Sequence, residues 1–358
     1  MILQSLAGGK AREVPTKGQA QTAVFLSDGG VATLERGIET QFRSQILLRS
    51  APDQPPTRLT NDLNDYGNSL SVTRDGKALV AVQKETTTTI YAADAAAPDK
   101  ITSITSNSYE HDVGDWTLDG KIIMNDFAGH AEVLNPDGSG SIRLATHGFP
   151  TVPAVCGDGK SYVYAALTES NAIHIVHADL SGPRATEITN GRTDWLPACS
   201  PDGTWVAYVT HDNGAWSLMR VASSGGAPKT LYAAGGDAWR PSISEDGKNV
   251  GFSVIGADQK VKYVVMPADG GAPAHEMDVP VETDSLRLAR DGSGFTYVLH
   301  RGDVDNLWFQ SFAGGPAKQL THFTSDHIYA YVFSRDGKRL ALTRGNDKQD
   351  AVMLSNFR

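Results

Sequence analysis

Apolar residues in this chain come in short runs, most alternating with polar ones and broken by Gly, Pro, Asn and Asp. Trp205-Val206-Ala207-Tyr208-Val209 is one such run. A period of two predicts strands, because successive side chains then point to opposite faces of a sheet. Segments 22–26, 31–34, 45–49 and 57–60 form one set of four predicted strands, and 196–200, 205–209, 217–221 and 229–232 form a later set with the same layout. Nowhere is a 3.6-residue period sustained, so almost no helix is expected.

The first two strands of each set are joined by an Asp-Gly pair. These pairs begin at Asp28, Asp75, Asp119, Asp158, Asp202, Asp246, Asp291 and Asp336, spaced by 47, 44, 39, 44, 44, 45 and 45 residues. The fullest version is Ser200-Pro201-Asp202-Gly203, whose residues suit the four positions of a tight turn with Gly at positive φ. Three residues before each Asp stand Phe25, Val72, Trp116, Val155, Cys199, Ile243, Leu288 and Phe333, all apolar. Two before it the residue is mostly small or hydroxylic, as a side chain that bonds the turn backbone must be. Four-stranded units repeating every 40–45 residues or so are the mark of β-propeller blades. The predicted fold is therefore an all-β propeller. If a strand at 12–14 completes the last repeat, the ring has eight blades and residues 1–358 form one propeller. If 57–60 completes it, the ring has seven blades over 57–358, and 1–56 are leftover strands of a preceding blade. Eight is preferred because it buries more of the chain.

Composition narrows the function. A formal net charge of −9 makes a nucleic-acid backbone an unsuitable partner. No run is long enough for a membrane-spanning helix, so no membrane contact is expected from this chain. The first residues, Met1-Ile2-Leu3-Gln4-Ser5-Leu6, lack the basic and apolar regions of an export signal. The two cysteines, Cys156 and Cys199, fall at adjacent repeat positions of opposite strand parity, so both are expected to be free.

The Ser-Pro-Asp-Gly phrase with its following Gly-Gly turn resembles the repeats of the TolB C-terminal propeller, a WD-like family. Pro316-Ala317-Lys318-Gln319-Leu320-Thr321, Ser334-Arg335-Asp336-Gly337-Lys338 and Leu354-Ser355-Asn356-Phe357 resemble the C-terminal propeller region of bacterial membrane-anchored serine/threonine kinases, as does 60–66. That resemblance implies an extracytoplasmic, periplasmic sensor or scaffold, with a kinase and a membrane span upstream. The chain itself has no Gly-rich loop, His-Arg-Asp or Asp-Phe-Gly, and no Gly-x-Ser-x-Gly elbow.

The Asp-Gly and Gly-Gly turns are uniform and gather on one face of a propeller, whereas the remaining loops are irregular and polar-aromatic. Varied loops on a rigid scaffold are where recognition is expected. The candidate ligand-binding residues there are Asp65, Tyr66, Glu110, His111, Asp112, Asp194, Trp195, Asp237, Trp239, Arg240, His322, Asp326, His327 and Tyr329. Trp195, Trp239 and Tyr329 each stand seven before their Asp, a recurrence that also fits packing. His174 and His177 are three apart on a strand and cannot share a metal. Asp303-Val304-Asp305-Asn306 lacks the Gly and distal Glu of a calcium loop. The expectation is a non-catalytic propeller without cofactor or metal that binds a protein, peptide or small molecule. The alternatives are an enzyme like the propeller lyases, with a His-rich metal site at the channel mouth, and a purely structural spacer.

Overall fold

The computed structural model describes every residue except 1, 4–11, 14, 15, 17, 18, 38–42, 63, 107, 110, 127, 128, 169–171, 213, 235 and 358. Among the described residues there is no helix, and the chain is all-β as expected. It divides into two compact units, one of Met1–Thr87 with Asn346–Arg358 and one of Thr88–Gly345. Two long strands, Ala78–Asp94 and Arg339–Ser355, lie side by side and contribute residues to both. The stretch 78–94 contains no Gly, Pro or Asn and carries the β-branched run Thr86-Thr87-Thr88-Thr89-Ile90, so nothing in it favours a turn.

The first unit holds a four-stranded sheet of Gln19–Phe25, Val31–Arg36, Gln45–Arg49 and Thr57–Arg58. It also holds Asp65–Val72, paired with the first part of Ala78–Asp94. Their shared core includes Leu34, Ile46, Tyr66, Leu70, Leu79 and Phe357. Within it Arg49 and Glu35 form an ion pair at 2.7 Å, both side chains 1% exposed, with Thr33 Oγ1 accepting from Arg49 at 2.9 Å. A pair so dry costs desolvation that the ion contact and the Thr33 hydroxyl, bonded to both partners, offset.

The second unit contains six sheets. Their innermost strands are His111–Trp116, Phe149–Val155, Asp194–Cys199, Asp237–Ile243, Thr283–Leu288 and His327–Phe333. The first five sheets each add three antiparallel strands outward in chain order. Each inner strand packs beside those before and after it, and the sixth packs beside both the fifth and the first, so the six close a ring. Sheet faces are apolar on both sides because each is covered by a neighbour. The strand Ser161–Leu167 is buried along its whole length, and Val163, Ala165 and Ile175 meet Val206, Tyr208 and Val221 of the next sheet.

Closure is made by two strands from each end of the unit. His327–Phe333 pairs with 339–345, which lies beside 88–94, and Thr102–Ser103 completes the sixth sheet. At the seam the Val113 N–H donates to Thr343 Oγ1 at 2.9 Å, and the Trp116 indole N–H donates to the Val332 carbonyl at 3.2 Å. The Arg339 guanidinium sits 4.7 Å above the Trp116 ring and donates to the Gly120 carbonyl. Neither expected closing strand has this role: Arg12–Glu13 pairs with Ile2–Leu3, and Thr57–Arg58 with Gln45–Arg49. This ring therefore has six sheets rather than eight or seven, and the repeats at Asp28 and Asp75 belong to the first unit.

The recurring turn has the anticipated chemistry. Thr73, Thr117, Ser200, Ser244 and Ser334 donate their hydroxyls to the Asp two residues on, at 2.5–2.7 Å. All eight turn glycines have positive φ, between 67° and 88°. Six residues before four successive turn aspartates, Val152, Leu196, Arg240 and Ser285 also have positive φ, and the strand register shifts there. Each of these inner strands thus carries a bulge at the same place.

Gly203 and Gly292 separate two costs of a side chain in this turn. A Cβ at Gly203 (φ +73°) would lie 3.1 Å from the Asp158 nitrogen, whereas one at Gly292 (φ +70°) meets nothing within 4 Å. Gly292→Ala is expected to cost about 1 kcal/mol for the left-handed backbone alone, and Gly203→Ala to cost more. Urea unfolding of both variants checks this, and equal stabilities would remove the crowding at Gly203.

Candidate binding site in the central channel

The inner strands of the ring enclose a cavity of about 300 Å³ lined by residues from all six of them. Counting back from each turn Asp, two repeat positions face it. Four before the Asp stand Asp115, Ala154, Ala198, Ser242, Arg287 and Val332, and one before it in four of the repeats stand Leu118, Pro201, Arg290 and Arg335, all in the lining. With Arg240, the cavity holds four arginines against one aspartate. This is an electropositive interior in a chain whose formal net charge is −9.

Each charge is positioned by its sheet. Asp115 accepts from its neighbour Trp116 N–H at 2.8 Å and from Val155 N–H of the next sheet at 3.0 Å. Ser242, at the same repeat position, makes the equivalent link to Leu288 N–H at 2.8 Å. Burial pushes the Asp115 carboxyl up from its ordinary range, with Arg290, the two N–H bonds and Arg287 opposing it. Arg335 reaches across from the sixth sheet to the carbonyls of Gly157 and Pro201, at 3.2 and 3.4 Å, and Arg290 donates to the Phe333 carbonyl at 3.3 Å. Arg287 stands 5.7 Å from the Tyr331 ring centre, and its Nε is buried with no hydrogen-bond partner. Burial, and then repulsion from Arg240, lower the hold of the Arg287 guanidinium on its proton. Guanidinium groups in this setting favour an anionic guest, since oxyanions accept two parallel N–H bonds.

Cys156 and Cys199 also line the cavity and form a disulfide, with Cα atoms 4.9 Å apart. The expectation of two free thiols is thereby corrected. Parity along one strand does not govern two residues on different strands, and the bulges at Val152 and Leu196 re-aim the residues that come after them. Cys156 opens the second turn and Cys199 ends the third inner strand, so adjacent sheets bring them together.

The residues proposed from sequence are dispersed. Asp65 and Tyr66 lie in the first unit, where Asp65 accepts from Ser44 N–H and Tyr66 is a core residue bonded to Asp62. Burial raises the Tyr66 phenol. Glu110 lies outside the described residues, and His111 and Asp112 open the first inner strand. Asp194 is buried and accepts from Gly191 N–H at 2.8 Å; it is a loop staple rather than an exposed charge. Trp195 and Trp239 do come together, with ring centres 6.3 Å apart and Trp216 packed 5.7 Å from Trp239. They cover the core between the third and fourth sheets, while their buried indole N–H groups have no partner. Asp237 is exposed in the same loop, but Arg240 belongs to the channel. His322 is held by Asp99 through its N–H at 2.6 Å and its ring at 3.2 Å. Asp326 pairs with Arg344 at 3.6 Å, His327 contacts Asp305, and Tyr329 packs near His327. Arg240 was among the candidates, but Arg287, Arg290 and Arg335 went unseen because they sit four or one before the Asp, where neighbouring repeats carry residues such as Pro, Leu, Ala or Ser. Arginine at the same offset in the last two repeats, Arg290 and Arg335, was the available signal.

Solved structures share this architecture. A TolB from Agrobacterium tumefaciens superposes with a TM-score of 0.59 at 17% identity, covering 73% of this chain and 99% of the other. TolB from Acinetobacter baumannii gives 0.53 at 15% identity, covering 91% and 80%. The fold is a TolB-like β-propeller. A gluconolactonase from Xanthomonas campestris also matches, with a TM-score of 0.52 at 12% identity over 74% of this chain and 95% of that one. Residues 195–305 match the family described as lipoprotein LpqB beta-propeller domain. Comparison with curated protein sequences gave no match.

The disulfide ties two sheets of the TolB-like ring across a sequence separation of 43 residues. Cross-links over loops of this size typically contribute about 2–4 kcal/mol. The Cys156→Ser/Cys199→Ser protein, or wild type under reductant, is expected to melt at a lower temperature, as calorimetry would record. Unchanged melting would mean that the two thiols are not bonded in solution.

Proposed function

We propose that this chain is a non-catalytic, extracytoplasmic binding propeller whose channel takes the anionic group of a peptide, protein segment or small molecule. The observation that carries the reading is the placement of Arg240, Arg287, Arg290 and Arg335 around one cavity with Asp115 as the single acid. A carboxylate or phosphate entering there would meet the unpartnered Nε of Arg287. It would also relieve the mutual repulsion of Arg287 and Arg240. Because the site is largely screened from water, each contact is worth more than on the surface.

The location is supported by the disulfide, a bond that persists in oxidising compartments. It is supported also by the match to a family described as a lipoprotein domain. An upstream kinase and membrane span stay part of the proposal on the strength of the C-terminal phrases alone.

Citrate and a tetraglutamate peptide serve as probes of the channel. Calorimetric titration is expected to give saturable binding of at least one of them, weakened at least ~10-fold, or about 1.4 kcal/mol, by Arg287→Met. Asp115→Asn should strengthen it. If neither anion binds, or if Arg287→Met and Arg290→Met bind as wild type does, the channel is not an anion site.

A further inference from the structure

Away from the channel, the junction of the fifth and sixth sheets gathers two imidazoles and a carboxylate. His300 and Asp305 are direct partners across the hairpin turned by Gly302 and Asp303. His327 opens the inner strand of the sixth sheet. Asp305 is fully buried, and its Oδ1 lies 2.8 Å from His300 Nδ1 and its Oδ2 3.4 Å from His327 Nδ1. The three ligand atoms are all within 4.8 Å of one another. We propose that His300, Asp305 and His327 form a binding site for a divalent transition-metal ion of the zinc class.

The donor set, two imidazoles and one carboxylate, is one that zinc accepts. A tetrahedral ion with ligands at ~2.0–2.1 Å needs ligand-to-ligand edges of about 3.3 Å. The two histidines face different oxygens of Asp305, at 2.8 and 3.4 Å, and with one ligand atom from each residue the set spans at most 4.8 Å. Shifts of about 1 Å in the rings and the carboxylate then close it around an ion. Supporting contacts fix the carboxylate: Asp305 Oδ2 accepts the Ile328 N–H at 2.9 Å, and the Asp305 N–H donates to the Asp326 carbonyl at 3.1 Å. A carboxylate held by such a bond is oriented before the ion arrives. His300 and His327 are 39% and 29% exposed, which gives an ion a path in and leaves a fourth position for water. Binding through Nδ1 requires that each ring carry its proton on Nε2, so the ion displaces the Nδ1 proton through which His300 bonds Asp305. The bound ion would tie the fifth-sheet hairpin to the strand that begins the sixth sheet. The expectation of no metal site rested on the opposite facing of His174 and His177 and on reading Asp303 to Asn306 as a failed calcium loop. Asp305 instead turns inward to histidines on either side of it in sequence.

The same contacts without an ion would be a hydrogen-bonded staple, and one experiment separates the two. Tag-free full-length protein is titrated with Zn2+ by calorimetry and with Co2+ by visible absorption. Wild type is expected to bind one equivalent of Zn2+ with a Kd below ~10 µM, to gain a tetrahedral Co2+ band, and to melt higher with Zn2+ present. His300→Ala, which alters an exposed ring, and Asp305→Asn, which keeps an acceptor for Ile328, should each weaken binding at least ~10-fold and abolish the thermal shift. His147→Ala/His174→Ala serves as control, since those rings flank Glu187 at 3.2 and 2.7 Å elsewhere in the ring. Absence of saturable binding overturns the proposal. So does binding that survives His300→Ala, or that disappears with the control pair.

Discussion

Everything in the ring depends on the pairing of 339–345 with 88–94. Five of the six sheets are each built from one continuous stretch of chain and contain all their own paired strands. The sixth is assembled from strands 250 residues or so apart in sequence, and only when it forms does the first inner strand gain a neighbour on each side. A propeller left open there would present unpaired strand edges and the apolar faces of two sheets to water. The seam is reinforced accordingly, with backbone, hydroxyl, indole and guanidinium contacts between Val113, Thr343, Trp116 and Arg339.

Closing the ring also creates the channel. Inner strands that run side by side bring the same repeat positions of all six sheets around one axis, so a residue that is unremarkable in one repeat becomes part of a ring of six. Small side chains at most of these positions leave the cavity open, and arginines at a few of them outnumber its one aspartate. The disulfide and the reach of Arg335 to Gly157 and Pro201 hold the turn end of the channel together. Against this rigid frame, bulges with positive φ at Val152, Leu196, Arg240 and Ser285 set the direction of the strand ends leading to the irregular loops.

The repeat was legible because its turn is local chemistry: a hydroxyl, an Asp and a Gly within six residues specify the hairpin whatever surrounds it. Ring membership was not, for the same reason. Asp28 and Asp75 carry the same turn as Asp202, and nothing within those hairpins says which strands will lie beside them. The long strand Ala78–Asp94 hid the closing partner by lacking any turn signal where one unit passes to the next. The disulfide and the channel residues Arg287, Arg290 and Arg335 were missed because their meaning lies between repeats. The three-residue site at His300, Asp305 and His327 was half visible as a hairpin pair, but His327 comes from the following repeat. Of the loop residues chosen as a recognition surface, Trp195 lies near Trp239 and His327 near Tyr329, and the rest are dispersed. Asp194, exposed by its polarity, is buried because the Gly191 N–H needs an acceptor.

Hydrogen exchange followed by mass spectrometry tests closure most directly. Segments 88–94 and 339–345 should exchange slowly and lose their protection together, at a free energy of opening near that of the buried strand Ser161–Leu167. Fast exchange in 88–94 alongside a protected 339–345 would contradict the account, because the two would then not be paired and the ring would have to close some other way.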